Sequence, residues 1–322
     1  MCTWSWQRNP DHAHYIIATG KMKNSPIEMS QKIALVTGSS TGIGLAVVRA
    51  LCRLFGEKGA IYLTAKDESQ DGMQAVKLLN SEGLSPRFNL LDVTDVASME
   101  KLRDDIKAEH GGLDILINNA GIAFRGNDVP MPEQAERTIR TNYHGVRLVT
   151  KAFLPIIRNG GRVVNLASKA APMAYYEMSE ELQKRFREVT TEDGVTDLMN
   201  EFVEGTKVGD HVLKGWRDWA YGTSKLGIVA LTKVHGESVG KDTSKKDVLI
   251  NCCSPGYVLT DITSHHSGER AKMILTPDEG ADTPVYLALL PAGTTNIQGK
   301  YLSKRMVKNF FEEDIRPFHP LD

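Results

Sequence analysis

The chain has 322 residues, and its 39 Lys and Arg residues nearly balance its 40 Asp and Glu residues. This balance gives neither a basic field that would attract nucleic acid or anionic lipid nor the acidic excess of a disordered chain. The four cysteines lack the paired spacing of a zinc site or of a secreted disulfide framework, so we predict no metal and a reducing, cytoplasmic environment.

The beginning of the chain lacks a targeting pattern. Residues 1–29 are polar and irregular, and their longest aliphatic run is Ile16 and Ile17. A secretory signal needs a longer apolar segment, and no stretch of the sequence approaches the roughly 18 apolar residues of a membrane span. We expect residues 1–29 to be a flexible extension, residues 30–322 to form one domain, and no membrane to be bound.

From Lys32 onward, short apolar runs alternate with longer helical patterns. The predicted strands are KIALVT, AIYLT, RFNLLDV, LDILINNAG, GRVVNLAS, DVLINCCS and GKYLS. The predicted helices cover 42–55, a polar stretch to Gly83, a stretch from about Asp95, a stretch over about 132–158, one from Tyr221, and 277–290. Apolar strands separated by helices indicate an α/β fold with a doubly wound parallel sheet of the Rossmann type.

Residues 169–218 interrupt this alternation. Helical periodicity is present in EELQKRFREV and DLMNEFVEG, which are joined by polar, acid-rich connections. The strand and helix alternation resumes only at the helix from Tyr221. We interpret residues 169–218 as a helical insertion within the single domain.

A glycine pattern, TGSSTGIG, follows the first predicted strand. Glycines allow a tight turn and close backbone approach to a pyrophosphate, and the following helix offers free N–H groups to phosphates. An ordinary glycine-rich turn is the alternative, but the position after the first strand of a βαβ unit favours a dinucleotide site. Its candidate residues are Gly38, Ser40, Thr41, Gly42, Ile43 and Gly44.

The end of the second strand discriminates between NAD and NADP. An aspartate there would bond the ribose hydroxyls and repel a 2′-phosphate. This chain has Ala65, Lys66 and Asp67 at that point. Alanine followed by lysine favours NADP(H), although Asp67 weakens the signal and Lys66 as a plain surface charge is the alternative.

Tyr221 and Lys225 are four residues apart in a stretch of helical periodicity, so they share one helix face. A nearby ammonium favours phenolate and is expected to bring the tyrosine pKa toward the working range, so that the phenol can exchange a proton with a carbonyl oxygen. Tyr62 and Lys66 have the same spacing, but they lie across a strand, where four residues span about 13 Å. Only the helical pair is therefore predicted to be catalytic.

Three polar positions complete the candidate site. Ser168 ends the fifth predicted strand, at the sheet edge where doubly wound folds bind ligands, and its hydroxyl is suited to a substrate oxygen; a strand-end cap is the alternative. Asn142 is a poor helix former that either opens a helix carbonyl to a proton-relaying water or is a surface side chain. The segment 118–121 (NNAG) is either a cofactor wall or a plain turn.

Taken in order, TGxxxGxG, NNAG, the serine after the fifth strand and YxxxK resemble the short-chain dehydrogenase/reductase family from Lys32 onward. The segments GIGLAVVRALCRLF, GGLDILINNAGIAF and TPVYLALLP are similar to the monomeric cytosolic NADPH-dependent carbonyl reductases. The resemblance implies reduction of ketones, aldehydes and quinones by a monomer whose insertion obstructs the usual oligomer interface. A dedicated hydroxysteroid or prostaglandin dehydrogenase and a non-catalytic dinucleotide-binding protein are the alternatives.

The resemblance also implies residue roles. Tyr221 is the expected proton donor, Lys225 binds the nicotinamide ribose, Ser168 the carbonyl, and Asn142 belongs to a water relay. The further cofactor contacts that it implies are Asp92, Val93, Asn119, Val258 and Thr260. The implied substrate contacts are Phe124, Arg125, Gln134 and Tyr257, and the segment 124–126 corresponds to one that contacts glutathione conjugates in that subfamily.

Departures from the subfamily predict altered specificity. Ser40 and Thr41 replace an Asn-Lys pair, so Lys66 is left as the expected cation for the 2′-phosphate and the preference for NADPH is expected to weaken without disappearing. Lys169 occupies a position that is apolar in the subfamily, and Tyr257 replaces a tryptophan. We hypothesise a more polar substrate pocket.

Overall fold

The computed structural model describes residues 31–67, 70–124, 128–260, 274–309 and 311. One sheet contains the strands β1 (Lys32–Val36), β2 (Gly59–Ala65), β3 (Arg87–Leu90), β4 (Leu113–Asn118), β5 (Ile157–Leu166), β6 (Leu249–Ser254), β7 (Tyr301–Ser303) and β8 (Met306–Val307). Their order is β3-β2-β1-β4-β5-β6-β7-β8. Every pairing from β3 to β7 is parallel, and β8 pairs antiparallel with β7. The predicted doubly wound α/β fold is confirmed.

Helices cover both faces of the sheet. They are α1 (Gly42–Phe55), α2 (Gln70–Ser81), α3 (Val96–His110), α4 (Met131–Thr138), α5 (Gly145–Phe153), α6 (Ala170–Tyr176), α7 (Glu180–Glu188), α8 (Glu192–Val208), α9 (Ala220–Lys241), α10 (Pro277–Gly280) and α11 (Asp282–Ala288). No helix in the described ranges is both long and apolar enough to cross a bilayer.

Strand β1 shows why the sheet is covered on both sides. Successive side chains of a strand point to opposite faces. Ala34 and Val36 pack into the core layer that contains α1, α2 and α11, whereas Ile33 and Leu35 pack into the layer that contains α3 and α5. All four are at most 1% exposed. A strand buried on both faces must be apolar without alternation, which is the pattern of the sequence.

The helix predicted over 132–158 is confirmed as a helical stretch that runs to Ile156, with a π turn inside it and a 3-10 turn at its end. α4 is followed by a π-helical turn over Ile139–His144, then by α5, a 3-10 turn at Leu154–Ile156 and strand β5. Asn142 lies in the π turn, where its side chain bonds groups outside the helix, so the regular helical ladder is interrupted there. Pro155 lies in the 3-10 turn, just before β5 begins at Ile157.

Two further differences lie near the end of the chain. The helix predicted over 277–290 is divided into α10 and α11, because Pro284 has no N–H to donate to the carbonyl of Gly280. Strand β8 was not predicted. It follows a tight turn in which Lys304 and Arg305 have positive φ values of 51° and 62°. Glycine usually marks such a hairpin turn, and this chain has lysine and arginine there instead.

The stretch 169–218 contains α6, α7 and α8, of which α6 was not predicted. Side-chain caps begin two of these helices: Ser179 accepts from Leu182 N and Thr191 from Gly194 N. The side chains of Phe186 and Phe202 pack on Trp216, with ring centroids 5.9 and 5.4 Å away. The buried side chains of these helices therefore belong to one apolar cluster that also includes residues of α9.

Candidate active site

A cleft of about 590 Å³ lies at the carboxyl ends of β1, β2, β4 and β5. This is the edge at which doubly wound sheets bind ligands. Its walls include most of the predicted cofactor residues, namely Gly38, Ser40, Thr41, Gly42, Ile43, Lys66, Asp92, Val93, Asn119, Tyr221, Lys225 and Thr260. The structure thus brings together residues that are up to 222 positions apart, from Gly38 to Thr260.

The glycine turn requires its glycines. Gly38 and Gly42 both have a φ of 56°, in the left-handed region that disfavours side chains. A Cβ on Gly38 would lie 2.8 Å from Ala120 Cα, and one on Gly44 would lie 2.5 Å from Asn119 Nδ2. Gly44 is therefore a packing residue rather than a wall of the cleft. Thr41 caps α1 without a side-chain hydrogen bond, so this helix end is not covered by its own cap.

The NNAG segment is fastened to the glycine turn. Thr37 Oγ1 accepts hydrogen bonds from the backbone N–H groups of Asn119 and Ala120, each at 3.0 Å. Asn119 Nδ2 donates to the carbonyl oxygens of Thr37 and Gly38 at 2.9 and 2.7 Å. These bonds hold two walls of the cleft together.

One end of the cleft contains Asp92, which the resemblance implies as a cofactor contact, and Lys66. Asp92 Oδ1 accepts from the backbone N and the Oγ1 of Thr94 at 2.8 and 2.7 Å, which fixes the carboxylate. Arg140 Nη2 lies 3.4 Å from Thr94 Oγ1 at the rim. Lys66 and Asp67 line the wall beside Ala65. The described lining residues include four cationic side chains against two carboxylates, which suits an anionic ligand.

Tyr221 and Lys225 lie at the opposite end, on one face of α9. Lys225 Nζ is 5.6 Å from the centre of the Tyr221 ring and donates to the Leu166 carbonyl at 2.8 Å. Lys225 is only 5% exposed, whereas Tyr221 is half-buried. Ser168 is near enough to the Tyr221 phenol to lower its pKa. Phenol, hydroxyl and amine thus converge at one point of the cleft.

The expected lowering of the tyrosine pKa by the ammonium does not dominate in this structure. Burial raises the pKa of Tyr221, and the nearby Ser168 side chain opposes that rise. Burial also lowers the pKa of Lys225 to about 8, because the ammonium is taken from water without a carboxylate partner at its hydrogen bond to Leu166. Near neutral pH the phenol is therefore protonated and suited to act as an acid.

Asn142 is fully buried, so its alternative as a surface side chain is wrong. Its Oδ1 accepts from Ile122 N at 2.8 Å, and its Nδ2 donates to Ile122 O at 2.9 Å and to Ser224 Oγ at 3.0 Å. It thereby fastens the end of β4 to α9. A Cβ on Gly121 would lie 3.2 Å from Asn142 Oδ1 and 3.5 Å from Lys225 Nζ, so both polar groups adjoin that glycine.

The predicted substrate residues are less tightly grouped. Phe124 packs under Arg137, whose guanidinium carbon lies 4.8 Å from the ring centre. Gln134 Nε2 donates to the Val129 carbonyl at 2.7 Å. Tyr257 belongs to the loop after β6 and accepts from Leu275 N through its backbone carbonyl at 2.7 Å. Arg125 and Gly126 lie outside the described residues.

Val258, predicted to contact the nicotinamide, is 3% exposed and packs against α10. A Cβ on Gly280 would lie 2.5 Å from Val258 Cγ2. A bridge with Leu275 holds the backbone of Val258. Thr260 does reach the cleft, and its Cγ2 would lie 3.2 Å from a Cβ on Gly42.

Sequence reasoning missed two cations and one aromatic side chain at the site. Arg137 in α4 and Arg140 in the π turn line the cleft. They are three residues apart on a helix and come shortly before Asn142, and this spacing was the available signal. Trp219 precedes α9, and its ring centroid lies 6.3 Å from that of Tyr221. Its position two residues before the candidate proton donor was the available signal.

Comparisons with known proteins agree with this arrangement. A family model described as short chain dehydrogenase matches residues 32–180. The NADPH carbonyl reductase 1 of Homo sapiens is 45% identical over 280 residues, which are 86% of this chain and 98% of that protein. The NADPH carbonyl reductase 3 of Rattus norvegicus is 45% identical over 87% of this chain and 98% of its own length. Salutaridine reductase from Papaver somniferum superposes with a TM-score of 0.72 at 29% identity, covering 84% and 99% of the two chains.

Proposed function

This chain belongs to the short-chain dehydrogenase family, and from that premise we propose that it reduces ketones, aldehydes and quinones with NADPH, using Tyr221 as the proton donor. The observation that carries the proposal is the position of Tyr221. Its phenol lies near Ser168 and on the same helix face as Lys225, in a cleft whose wall also contains the glycine turn. The 45% identity to carbonyl reductases over most of the chain supports the same activity.

The cleft fits a dinucleotide on its own features. Gly38 and Gly42 have positive φ values and no side chains, so a phosphate group could approach the backbone closely. The amino end of α1 faces the same space. Its cations suit the pyrophosphate and the 2′-phosphate. Lys66 would hold the 2′-phosphate and Arg140 would close the adenosine end.

Bound NADPH supplies a hydride to the carbonyl carbon. The chain's own part is to hold the substrate and deliver a proton. The hydroxyl groups of Ser168 and Tyr221 would both donate hydrogen bonds to the substrate carbonyl oxygen. As negative charge develops on that oxygen, the Tyr221 hydroxyl would transfer its proton to it. Lys225 would bind the nicotinamide ribose and stabilise the phenolate that remains.

Asn142 would act through the backbone that it holds. Its side chain is committed to Ile122 and Ser224, so it does not itself exchange protons with the site. The π turn over Ile139–His144 widens the helix at this point, which fits a carbonyl open to water. From that water a proton would pass to Lys225 and then replace the one lost by Tyr221.

The substrate side would be formed by Phe124, Arg125, Gln134 and Tyr257. Lys169 follows Ser168 directly, and its backbone N donates to Ser254 Oγ at 3.1 Å, so its Cα is held close to the catalytic serine. An amine at this position would favour polar or anionic carbonyl compounds. A panel that pairs neutral ketones with carboxylated analogues would test this, since Lys169→Ile should change their ranking.

We infer a monomeric state from the position of the proposed insertion, residues 169–218. Within it, α8 packs against α4 and α9. Glu192 at its start bonds Arg147 of α5 at 3.0 Å and His235 of α9 at 2.7 Å. Tyr143 Oη and Thr196 Oγ1 are 2.9 Å apart at the same contact. Helix faces that would otherwise meet a second subunit are thus covered.

The three described cysteines are buried free thiols, which suits a reducing cytoplasm.

The test is reduction of menadione, aromatic aldehydes and steroid or prostaglandin ketones by the full chain, with NADPH and NADH in turn. We expect turnover of several unrelated carbonyl compounds with a preference for NADPH. One substrate favoured by orders of magnitude would support a dedicated hydroxysteroid or prostaglandin dehydrogenase instead. Binding of NADPH without any turnover would support a non-catalytic dinucleotide-binding protein.

A further inference from the structure

Trp219 is the last residue before α9 and lies beside the candidate proton donor. Its ring centroid is 6.3 Å from that of Tyr221, and the two rings are inclined by 49°. The side chain is half-buried, so it is not one of the closed core aromatics such as Trp216.

Gly222 is shaped to receive the indole. A Cβ on Gly222 would lie 2.4 Å from Trp219 Cε3 and 2.8 Å from Cδ2 and Cζ3. No real side chain tolerates such distances, and the atoms met belong to a rigid ring. The absence of a side chain at Gly222 therefore lets the indole rest directly on the first turn of α9, the turn that contains Tyr221.

A charged side chain holds the indole in place. The guanidinium carbon of Arg217 lies 4.3 Å from the centre of the Trp219 ring, within cation–π distance. Arg217 Nε is in turn bonded to Glu177 Oε2 at 2.8 Å, just after the end of α6. The contacts form a chain, Glu177–Arg217–Trp219, that connects α6 to the start of α9; we call it the indole brace.

The start of α9 needs such support. Trp219 is its N-cap residue and makes no side-chain capping bond, so the usual device for fixing a first turn is missing. Ser224 Oγ donates to the Tyr221 carbonyl at 2.7 Å, which fixes the backbone but leaves the phenol ring to be held by its neighbours. The indole is one of those neighbours.

We propose that Trp219, held by Arg217 and Glu177, is a positioning residue that fixes the Tyr221 ring in the orientation required for proton donation. The inference rests on the proposed function. It concerns the chemical step alone, because the brace lies beside Tyr221 and none of its three residues lines the cofactor cleft. Loss of the brace should therefore lower kcat and leave the KM for NADPH unchanged.

The first experiment compares Trp219→Ala, Trp219→Phe and Arg217→Met in steady-state reduction of menadione by the full chain. Misplacing a reacting group by about 1 Å costs on the order of 100-fold in rate. We expect Trp219→Ala to lower kcat by about 10-fold to 100-fold, Trp219→Phe to restore most of it, and Arg217→Met to lower it less. Leu213→Ala is the matched control, since it removes an apolar side chain that is 90% exposed in the preceding loop.

The second experiment is a double-mutant cycle with Gly222→Ala. The added methyl group should displace the indole and lower kcat in the parent chain, but it should cost little more once Trp219 is alanine. An equal cost of Gly222→Ala in both backgrounds would overturn the brace. So would a kcat of Trp219→Ala within twofold of the parent, or a loss of activity accompanied by an equal rise in the KM for NADPH.

Failure of the inference and failure of the proposed function are separable. If the parent chain turns over no carbonyl compound, or if Tyr221→Phe retains full activity, the proposed function fails and the brace has no reaction to serve. If Tyr221→Phe is inactive while Trp219→Ala is as active as the parent, the function stands and only the inference is overturned. If Trp219→Ala does not fold, Arg217→Met is the test. A lowered kcat for Arg217→Met supports the brace, and an unchanged kcat overturns it.

Discussion

The ammonium of Lys225 lies 5.6 Å from the centre of the Tyr221 ring while it donates a hydrogen bond to the carbonyl of Leu166 at 2.8 Å. One bond thus ties α9 to the end of β5, the strand that precedes Ser168. The relative positions of phenol, hydroxyl and amine are set by this contact between a helix and the sheet edge. Four-residue spacing on a helix places the phenol and the amine on one face, and the residue after the strand end supplies the hydroxyl.

The pH dependence of NADPH binding follows from Lys225. Burial lowers the pKa of Lys225 to about 8, so the amine is charged below that pH and neutral above it. Since a cation favours an anionic cofactor, kcat/KM for NADPH should be constant near neutrality and fall by about tenfold per pH unit above about 8. Tyr221 does not oppose this, because burial raises its pKa and it stays protonated in the same range.

The measurement that checks this is NADPH binding by fluorescence between about pH 6 and pH 10, over which an unperturbed lysine would remain largely charged. In Lys225→Arg, the guanidinium cannot lose its proton, so the weakening above pH 8 should disappear. Binding that strengthens as the pH rises through 8, in the parent chain, would contradict the assignment of Lys225.

Lys66→Ala should separate the two cofactors. A charged hydrogen bond is worth about 1.5–3 kcal/mol, so its loss should raise the KM for NADPH by about 10-fold to 100-fold. The KM for NADH, which has no 2′-phosphate, should change little. Arg140→Ala is the matched comparison: it removes a cation from the adenosine end of the same cleft and should weaken both cofactors alike. Equal effects of Lys66→Ala on both would exclude Lys66 as the phosphate residue.

Arg162→Met should destabilise the fold without touching the cleft. Arg162 is 3% exposed, and its guanidinium donates to the carbonyls of Leu290, Gly161 and Pro291 at 3.1, 3.0 and 2.9 Å. It also pairs with the Asp247 carboxylate at 3.3 Å. Breaking a buried pair costs about 3–5 kcal/mol.

We expect the free energy of unfolding in urea to fall by about that amount, toward the lower end because Asp247 keeps some access to water. Arg103→Ala, on the surface of α3, removes an exposed ion pair and should change it by less than about 1 kcal/mol. A loss below about 1 kcal/mol for Arg162→Met would show that Asp247 and the three carbonyls find other partners.

The sheet was predictable because burial on both faces leaves a strong pattern. Ile33 to Val36 are apolar without interruption, so the strand positions followed from their apolar runs, and parallel pairing followed from the alternation of strands with helices. The π turn inside the predicted helix over 132–158 was not predictable. It depends on where the buried side chain of Asn142 finds its partners, Ile122 and Ser224, and these are 20 and 82 residues away in sequence.

The site divides in the same way. Residues tied to a local pattern, such as the glycine turn and the Tyr221–Lys225 pair, were found from spacing, and the structure places them on one cleft. Arg140 was missed because its partner, Thr94, is distant in sequence. Trp219 was missed because the residue against which its ring packs, Gly222, has no side chain. Burial explains the wrong expectation for the pKa of Tyr221, since desolvation was not visible from a spacing of four.

The central claim is that the Tyr221 hydroxyl donates the proton in carbonyl reduction. The most direct test is single-turnover oxidation of NADPH by menadione or an aromatic aldehyde, comparing the parent chain with Tyr221→Phe. General acid catalysis contributes about 100-fold to 10,000-fold, so the rate should fall by that factor while the Kd for NADPH and the melting temperature stay unchanged. An undiminished rate in Tyr221→Phe, with NADPH still bound, would contradict the account.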